Sequence, residues 1–199
     1  MVDPADHLGL YLLFSSLGFV WLGYLVLSER TREWRPSAAL VLAVAALLRV
    51  LLLPMPATLS DDVLRYVWDG RVVGAGQNPY RYAPEDPELS SLRNDLWDRL
   101  PHRDVPTVYP PLALAAFSIA ARSVFPIIAL KVLLSCFDLL SCFLLLRLSE
   151  RLGLTPLRVV LYAWNPLVTM EVAGMGHVDA LGVLMVVLGV HALVARPLR

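Results

Sequence analysis

Residues Ser60 to Tyr80 read SDDVLRYVWDGRVVGAGQNPY. They follow an apolar run, Ser37 to Pro54, long enough to cross a bilayer. Two adjacent carboxylates, Asp61 and Asp62, a third at Asp69, two arginines, Arg65 and Arg71, and three aromatic residues gather at the end of that run. Ionised groups are expensive inside hydrocarbon, so such a cluster belongs at a membrane surface, where a membrane enzyme would keep its chemistry. Ser60 is placed to cap a helix with Asp61 and Asp62 in its first turn, running to about Val73 and ending at Gly74 and Gly76. On that helix Asp62, Arg65, Tyr66 and Asp69 share one face, and Asp61 and Arg65 stand four apart as an ion pair with the acid N-terminal.

The composition sets the environment. Of 199 residues, 57% are hydrophobic and 17% charged, with a mean hydropathy of +0.62, well above the roughly 45–50% apolar content of a soluble domain. This predicts an all-α integral membrane protein, a single polytopic domain over residues 1–199. Seventeen basic residues balance seventeen acidic ones, so no overall field favours nucleic acid. The acids are concentrated, however: residues 55–109 hold nine of them against six bases. Cys136 and Cys142, six apart in one apolar run, lie on different helix faces and read as packing residues. Asp3 and Asp6 stand where a cleaved signal peptide would carry basic residues.

Spans follow from the apolar runs. Leu8 to Leu27 and Ser37 to Pro54 are the first two, joined by a loop with Arg30, Arg32 and Arg35 that the positive-inside bias places in the cytoplasm. Residues 55–109 then form a long outer loop that is partly helical, with a second helix expected from Pro87 to Leu100, where Leu89, Leu92, Leu96, Trp97 and Leu100 recur at helical spacing. Leu112 to Phe125 is too short for a plain span and begins behind Pro110-Pro111. Ile127 to Leu146, Pro156 to Ala173 and Asp179 to Ala195 complete five spans, or six if the short segment crosses. Arg147, Arg151, Arg158, Arg196 and Arg199 favour five, with Gly176-His177-Val178-Asp179 on the outer side beside Asp61 and Asp62.

The chemistry of these groups reads in two ways. The Asp61, Asp62, Arg65, Asp69 set is either a solvated helix laced with ion pairs or a carboxylate base beside a cation. Spacing alone does not decide between them. His177-x-Asp179 at a helix start is either a cap or, with Glu171, part of a functional cluster at the end of an apolar span. Asn165-Pro166 breaks the helix just upstream. Lys131 and Asp138 are read as neutralised by neighbouring helices. No motif calls for a particular cofactor, and a divalent metal on His177, Asp179, Asp61 and Asp62 is an open alternative without a distinctive ligand spacing.

The run Ser60 to Arg71, with Asn78-Pro79-Tyr80, Thr107-Val108-Tyr109-Pro110-Pro111, Ala163-Trp164-Asn165-Pro166, Glu171 and Gly176-His177-Val178-Asp179, resembles the GT-C superfamily of membrane glycosyltransferases. It is most similar to the polyprenol-phosphate-mannose-dependent mannosyltransferases, over about Leu59 to Leu188, and has the length of the N-terminal half of such an enzyme. The resemblance implies an inverting transferase that moves a sugar, mannose by preference, from a polyprenyl-phosphate donor to an acceptor hydroxyl of a glycan or lipid on the non-cytoplasmic face. It places the catalytic base on Asp62 or Asp61. Arg65, Arg71 and Arg49, in that order, would offset the leaving phosphate, with His177, Asp179, Asp69 and Tyr109 completing the donor site. An apolar groove for the polyprenyl tail would lie beside the segment Pro110 to Phe125. A second chain supplying further helices is an implied partner. The competing reading is a non-catalytic subunit that binds or transports polyprenyl phosphate; a proton-coupled transporter built on Lys131, Asp138 and Glu171 would show internal repeats, which are not evident.

Overall fold

A computed structural model describes residues 4–31 and 35–195. Arg32, Arg196 and Arg199, on which the orientation of the spans partly rested, lie outside the described residues. Those described are helical or irregular, with no strand among them. Helix α1 spans Pro4–Thr31 and α2 spans Ala38–Leu52, capped by Ser37, whose Oγ accepts from the Leu40 N–H at 3.2 Å. The segment 55–109 supplies α3, Asp62–Gly74. Then come α4, Pro111–Ala121, α5, Pro126–Arg151, α6, Leu157–Ala163, α7, Pro166–Thr169, and α8, Asp179–Ala195, with a π-helical turn at Met170–Met175 between the last two.

The expected boundaries are met where apolar periodicity and caps agree. Pro111 opens α4 at its first turn, where its missing N–H costs nothing. One expectation fails. The helix anticipated over Pro87–Leu100 is instead two 3-10 turns, Pro87–Leu92 and Trp97–Arg99. Leu89 and Leu100 are buried as the spacing implied, and Trp97 packs on Trp68 at 5.3 Å, but Arg93 and Arg103 cover the indole of Trp97 from outside and hold the segment to the core without helical continuity. The stretch from Pro156 to Ala173 is interrupted at Asn165-Pro166 as expected, because Pro166 has no N–H to donate to the turn before it and the Asn165 side chain accepts from the Leu167 N–H at 2.9 Å, starting a new helix.

Of the described helices, α5, with 26 residues, is long and apolar enough to cross a membrane; α2, α4 and α8 are apolar but shorter. Large apolar side chains point outward along the helices, among them Phe19, Leu51, Ile119, Val186 and Leu193, as lipid contact requires. The core has two parts. One, from α1, α2, α5 and α6, centres on Val41, Ala45, Cys142 and Val160. The other seats α3 on α4, α5 and α8 through Val67, Trp68, Phe117, Leu130 and Leu134. Gly70 lets α3 and α4 touch: a Cβ there would collide with the Phe117 carbonyl group and stand 2.9 Å from the Ser118 nitrogen. Cys136 and Cys142 are unpaired; Cys142 is a buried packing residue as read from the sequence, but Cys136 is exposed, because its position on α5 faces away from the core.

Candidate functional site

Helix α3 begins at Asp62, with Asp61 as the capping residue. Ser60 serves the helix start differently from expectation: its Oγ accepts from the Asp62 N–H at 3.2 Å. Asp61 is exposed, whereas Arg65, Tyr66 and Asp69 on the shared face are buried and Asp62 is partly so. The ion pair expected between Asp61 and Arg65 does not form; Arg65 turns the other way and donates from Nε to Asp69 Oδ1 at 2.9 Å. The reason lies outside the helix. Two backbone carbonyls of the segment before α4, His102 and Val105, accept from Nη1 and Nη2 of Arg65 at 2.7 Å each, which draws the guanidinium into the protein beside Asp69. His102 adopts a left-handed backbone, φ 51°, in the segment that presents those carbonyls.

Asp69 is held from a second side by Thr107, whose hydroxyl donates to Oδ2 at 2.6 Å. Burial pushes its carboxyl upward in pKa, and the Arg65 charge and the two hydrogen bonds pull against that. The Thr107 N–H donates to the Pro79 carbonyl at 3.0 Å and the Tyr80 hydroxyl to the Tyr109 carbonyl at 2.7 Å. The Asn78-Pro79-Tyr80 and Thr107-Val108-Tyr109 stretches are thereby joined. Above them is a cavity of about 240 Å³ lined by Asp62, Arg65, Val105, Pro106, Val108 and Tyr109, among others. Tyr66 stacks on Phe117 at 4.7 Å and meets Tyr109 edge-on at 5.0 Å. Burial first, then the Asp62 charge among others, raises the pKa of both tyrosines, so their phenols are kept as neutral donors.

The facing wall comes from the other end of the chain. The π-turn Met170–Met175 and the left-handed Gly176, φ 80°, redirect the backbone so that His177 faces Asp62. A side chain at Gly176 would press on Lys131 Cγ at 3.2 Å and Val63 Cγ2 at 3.3 Å. His177 Nδ1 lies 2.5 Å from Glu171 Oε2, and its Nε2 lies 4.0 Å from Asp62 Oδ2. The hydrogen bond to Glu171 raises the pKa of the imidazole; burial opposes this, and the charges of Glu171, Asp62 and Asp179 reinforce it.

The sequence-derived candidates therefore divide. Asp62, Arg65, Asp69, Tyr109 and His177 are brought together around or behind the cavity. Asp61 and Asp179 are exposed and do not line it. Arg71 is not there: it lines a different cleft, with Gly74, Ser118 and Arg122, because its position on α3 points away from the Asp62 face. Arg49 is not there either, being buried against Asp138 and the carbonyls of Ala45 and Ala163. Tyr162 donates to the second oxygen of Asp138 at 2.5 Å, so Asp138 is neutralised by neighbouring helices as read from the sequence, whereas Lys131 Nζ donates to the uncharged Met55 carbonyl at 2.5 Å. Among the described residues no three His, Cys, Asp or Glu side chains come together to hold a metal ion. An apolar cavity of about 280 Å³ lies between α1 and the α6–α7 break, lined by Phe19, Trp21, Leu161 and Leu167 among others, and not beside α4. Thr107, the two loop carbonyls and the Glu171–His177 pairing were missed as site elements; only the clustering of Glu171 with His177 hinted at the last.

No curated protein and no solved structure matches the chain. The profile of the family described as "Alpha-(1->6)-mannopyranosyltransferase, N-terminal domain" matches residues 3–198. That match runs over nearly the whole chain and carries the resemblance drawn from the motifs around Asp62 and His177, so the chain belongs to the MptA_B family, the N-terminal domain of alpha-(1->6)-mannopyranosyltransferases.

Proposed function

We propose that this domain carries the catalytic base of an inverting mannosyl transfer of the GT-C type, from a polyprenyl-phosphate donor to an acceptor hydroxyl. The protein is read as multi-pass, with five spans and the site on the non-cytoplasmic side. The observation that supports the base is the contrast between neighbours: Asp62 lines the cavity beside Arg65 and Tyr109 and faces His177, whereas Asp61 turns to solvent. Asp62 takes the acceptor proton as the hydroxyl attacks the anomeric carbon and the bond to phosphate breaks. Arg65 spends three of its five N–H donors on Asp69, His102 and Val105. Two remain for the departing phosphate.

The test is transfer from radiolabelled polyprenyl-phosphate mannose in membranes carrying the protein, with Asp61→Asn and Asp62→Asn alongside. Asp62→Asn is expected to lose about 10²- to 10⁴-fold in rate, the range of a general base, while Asp61→Asn stays close to the parent. Equal activity of the two variants would remove Asp62 from the role. Donor binding without transfer by the parent protein would favour the binding-subunit reading instead.

A further inference from the structure

The contact between Asp62 and His177 has an unusual spacing. At 4.0 Å, Oδ2 and Nε2 are too far apart to hydrogen-bond to each other. Nε2 is itself buried and has no hydrogen-bond partner, an arrangement that normally costs free energy. A single oxygen placed about 2.8 Å from each atom closes the triangle with an angle of about 90° at that oxygen.

We propose that Glu171, His177 and Asp62 form a clamp for one hydroxyl of the acceptor: the His177 Nε2–H donates to its oxygen, and the hydroxyl donates its own proton to Asp62 Oδ2. This rests on Asp62 being the base and names the group that holds the nucleophile on it. Glu171 is the positioning residue. Its carboxylate accepts from Nδ1–H at 2.5 Å, which fixes the ring so that Nε2 points at Asp62. The groups facing His177 are Glu171 on its own turn, Asp62 from α3 and Asp179 from α8. Lys131 of α5 packs beneath Gly176 and directs its ammonium to the Met55 carbonyl, and the phenols of Tyr66 and Tyr109 lie behind Asp62. The three carboxylates around the ring favour the imidazolium, the form with a proton on Nε2 to donate.

In the transfer, the hydroxyl proton passes to Asp62 Oδ2, the oxygen forms its bond to the anomeric carbon, and the carbon–phosphate oxygen bond breaks with its electron pair leaving on polyprenyl phosphate. His177 keeps its proton throughout.

The experiment is steady-state transfer by His177→Ala, His177→Gln and Glu171→Gln in membranes, with acceptor and donor varied separately and pH scanned. His177→Ala is expected to raise the acceptor KM at least about tenfold, the cost of a lost charge-assisted hydrogen bond, without changing the donor KM. His177→Gln should recover part of that loss through its amide N–H. Glu171→Gln should move the alkaline limb of the pH profile downward, since the imidazolium is then less favoured. If His177→Ala does not accumulate, the acceptor KM of His177→Gln and the limb in Glu171→Gln carry the test. An unchanged acceptor KM and an unmoved limb, with Asp62→Asn inactive, would overturn the clamp and leave Asp62 as base. An active Asp62→Asn would overturn both.

Discussion

Arg49 and Asp138 lie 89 residues apart in the chain and meet in its interior, Nε donating to Oδ2 at 2.8 Å and Nη2 approaching the same oxygen to 2.7 Å, with side chains 1% and 0% exposed. The guanidinium also reaches the carbonyls of Ala45 and Ala163, so one side chain ties α2, α5 and α6 together. Its position near the end of an apolar span made it a candidate for phosphate binding. Its partners make it an internal strut.

Removing one member of that pair leaves a buried charge uncompensated, which costs about 3–5 kcal/mol, whereas replacing both with apolar groups is often close to neutral. Arg49→Met alone should therefore lower the melting temperature of the detergent-solubilised protein sharply. Arg49→Met with Asp138→Leu should recover most of it. Transfer activity of the double variant should match the parent, because neither residue touches the cavity; a selective loss of donor binding would return Arg49 to the site.

The Arg65–Asp69–Thr107 set is where the site and the fold are one structure. Asp69→Asn is expected to release Arg65 from its ion pair, at a cost of about 3–5 kcal/mol for a buried pair broken on one side. The same change should loosen residues 102–107, whose carbonyls depend on the guanidinium. Faster proteolysis in that segment, measured beside the melting temperature, checks the coupling. Thr107→Val should cost less, about 1–3 kcal/mol for a single buried hydrogen bond lost from a charged partner.

Gly70 has no room for a methyl group against the Phe117 carbonyl and the Ser118 nitrogen, and both obstacles are backbone. Gly70→Ala should force α3 from α4 and cost about 1–3 kcal/mol or more through overpacking. Gly74→Ala is the control: its Cβ would meet only Ser118 Oγ at an ordinary 3.7 Å. A melting temperature equal in the two variants would contradict the close approach of these helices.

His177 makes stability depend on pH. Its pKa is raised above the ordinary 6.5 in the folded protein, through the Glu171 hydrogen bond first. The folded state thus binds the proton more tightly than the unfolded one, so the contribution is fully present below about 6.5 and is lost as pH rises through the folded value. Thermal melts of the parent should show stability declining across that interval. His177→Asn should flatten the decline.

Much of the local structure was legible because it depends on neighbours in the chain. The 3.6-residue period placed Asp62, Arg65, Tyr66 and Asp69 on one face, Pro111 marked the start of α4, and Asn165-Pro166 marked a break. Even there, the helical spacing of Leu89 to Leu100 reported burial correctly but not the conformation, since Trp68, Arg93 and Arg103 hold those residues in 3-10 turns. The family was legible in the motifs, and the match to the mannopyranosyltransferase domain agrees with them.

Partner choice was another matter. Asp61 and Asp69 stand equally far from Arg65 along the helix, so spacing cannot choose between them; the carbonyls of His102 and Val105, some forty residues on, made the choice. The same holds for Arg49, claimed by an aspartate three helices away, and for His177, turned toward Asp62 by a π-turn and a left-handed glycine. What the sequence by itself determined is the helical framework, the membrane character and the residues able to do chemistry, because these follow from local periodicity and composition. Which charges are consumed in holding the fold and which stay free to meet a substrate was decided only by tertiary structure, because a buried ion is satisfied by whatever packs against it, not by what precedes it in the chain.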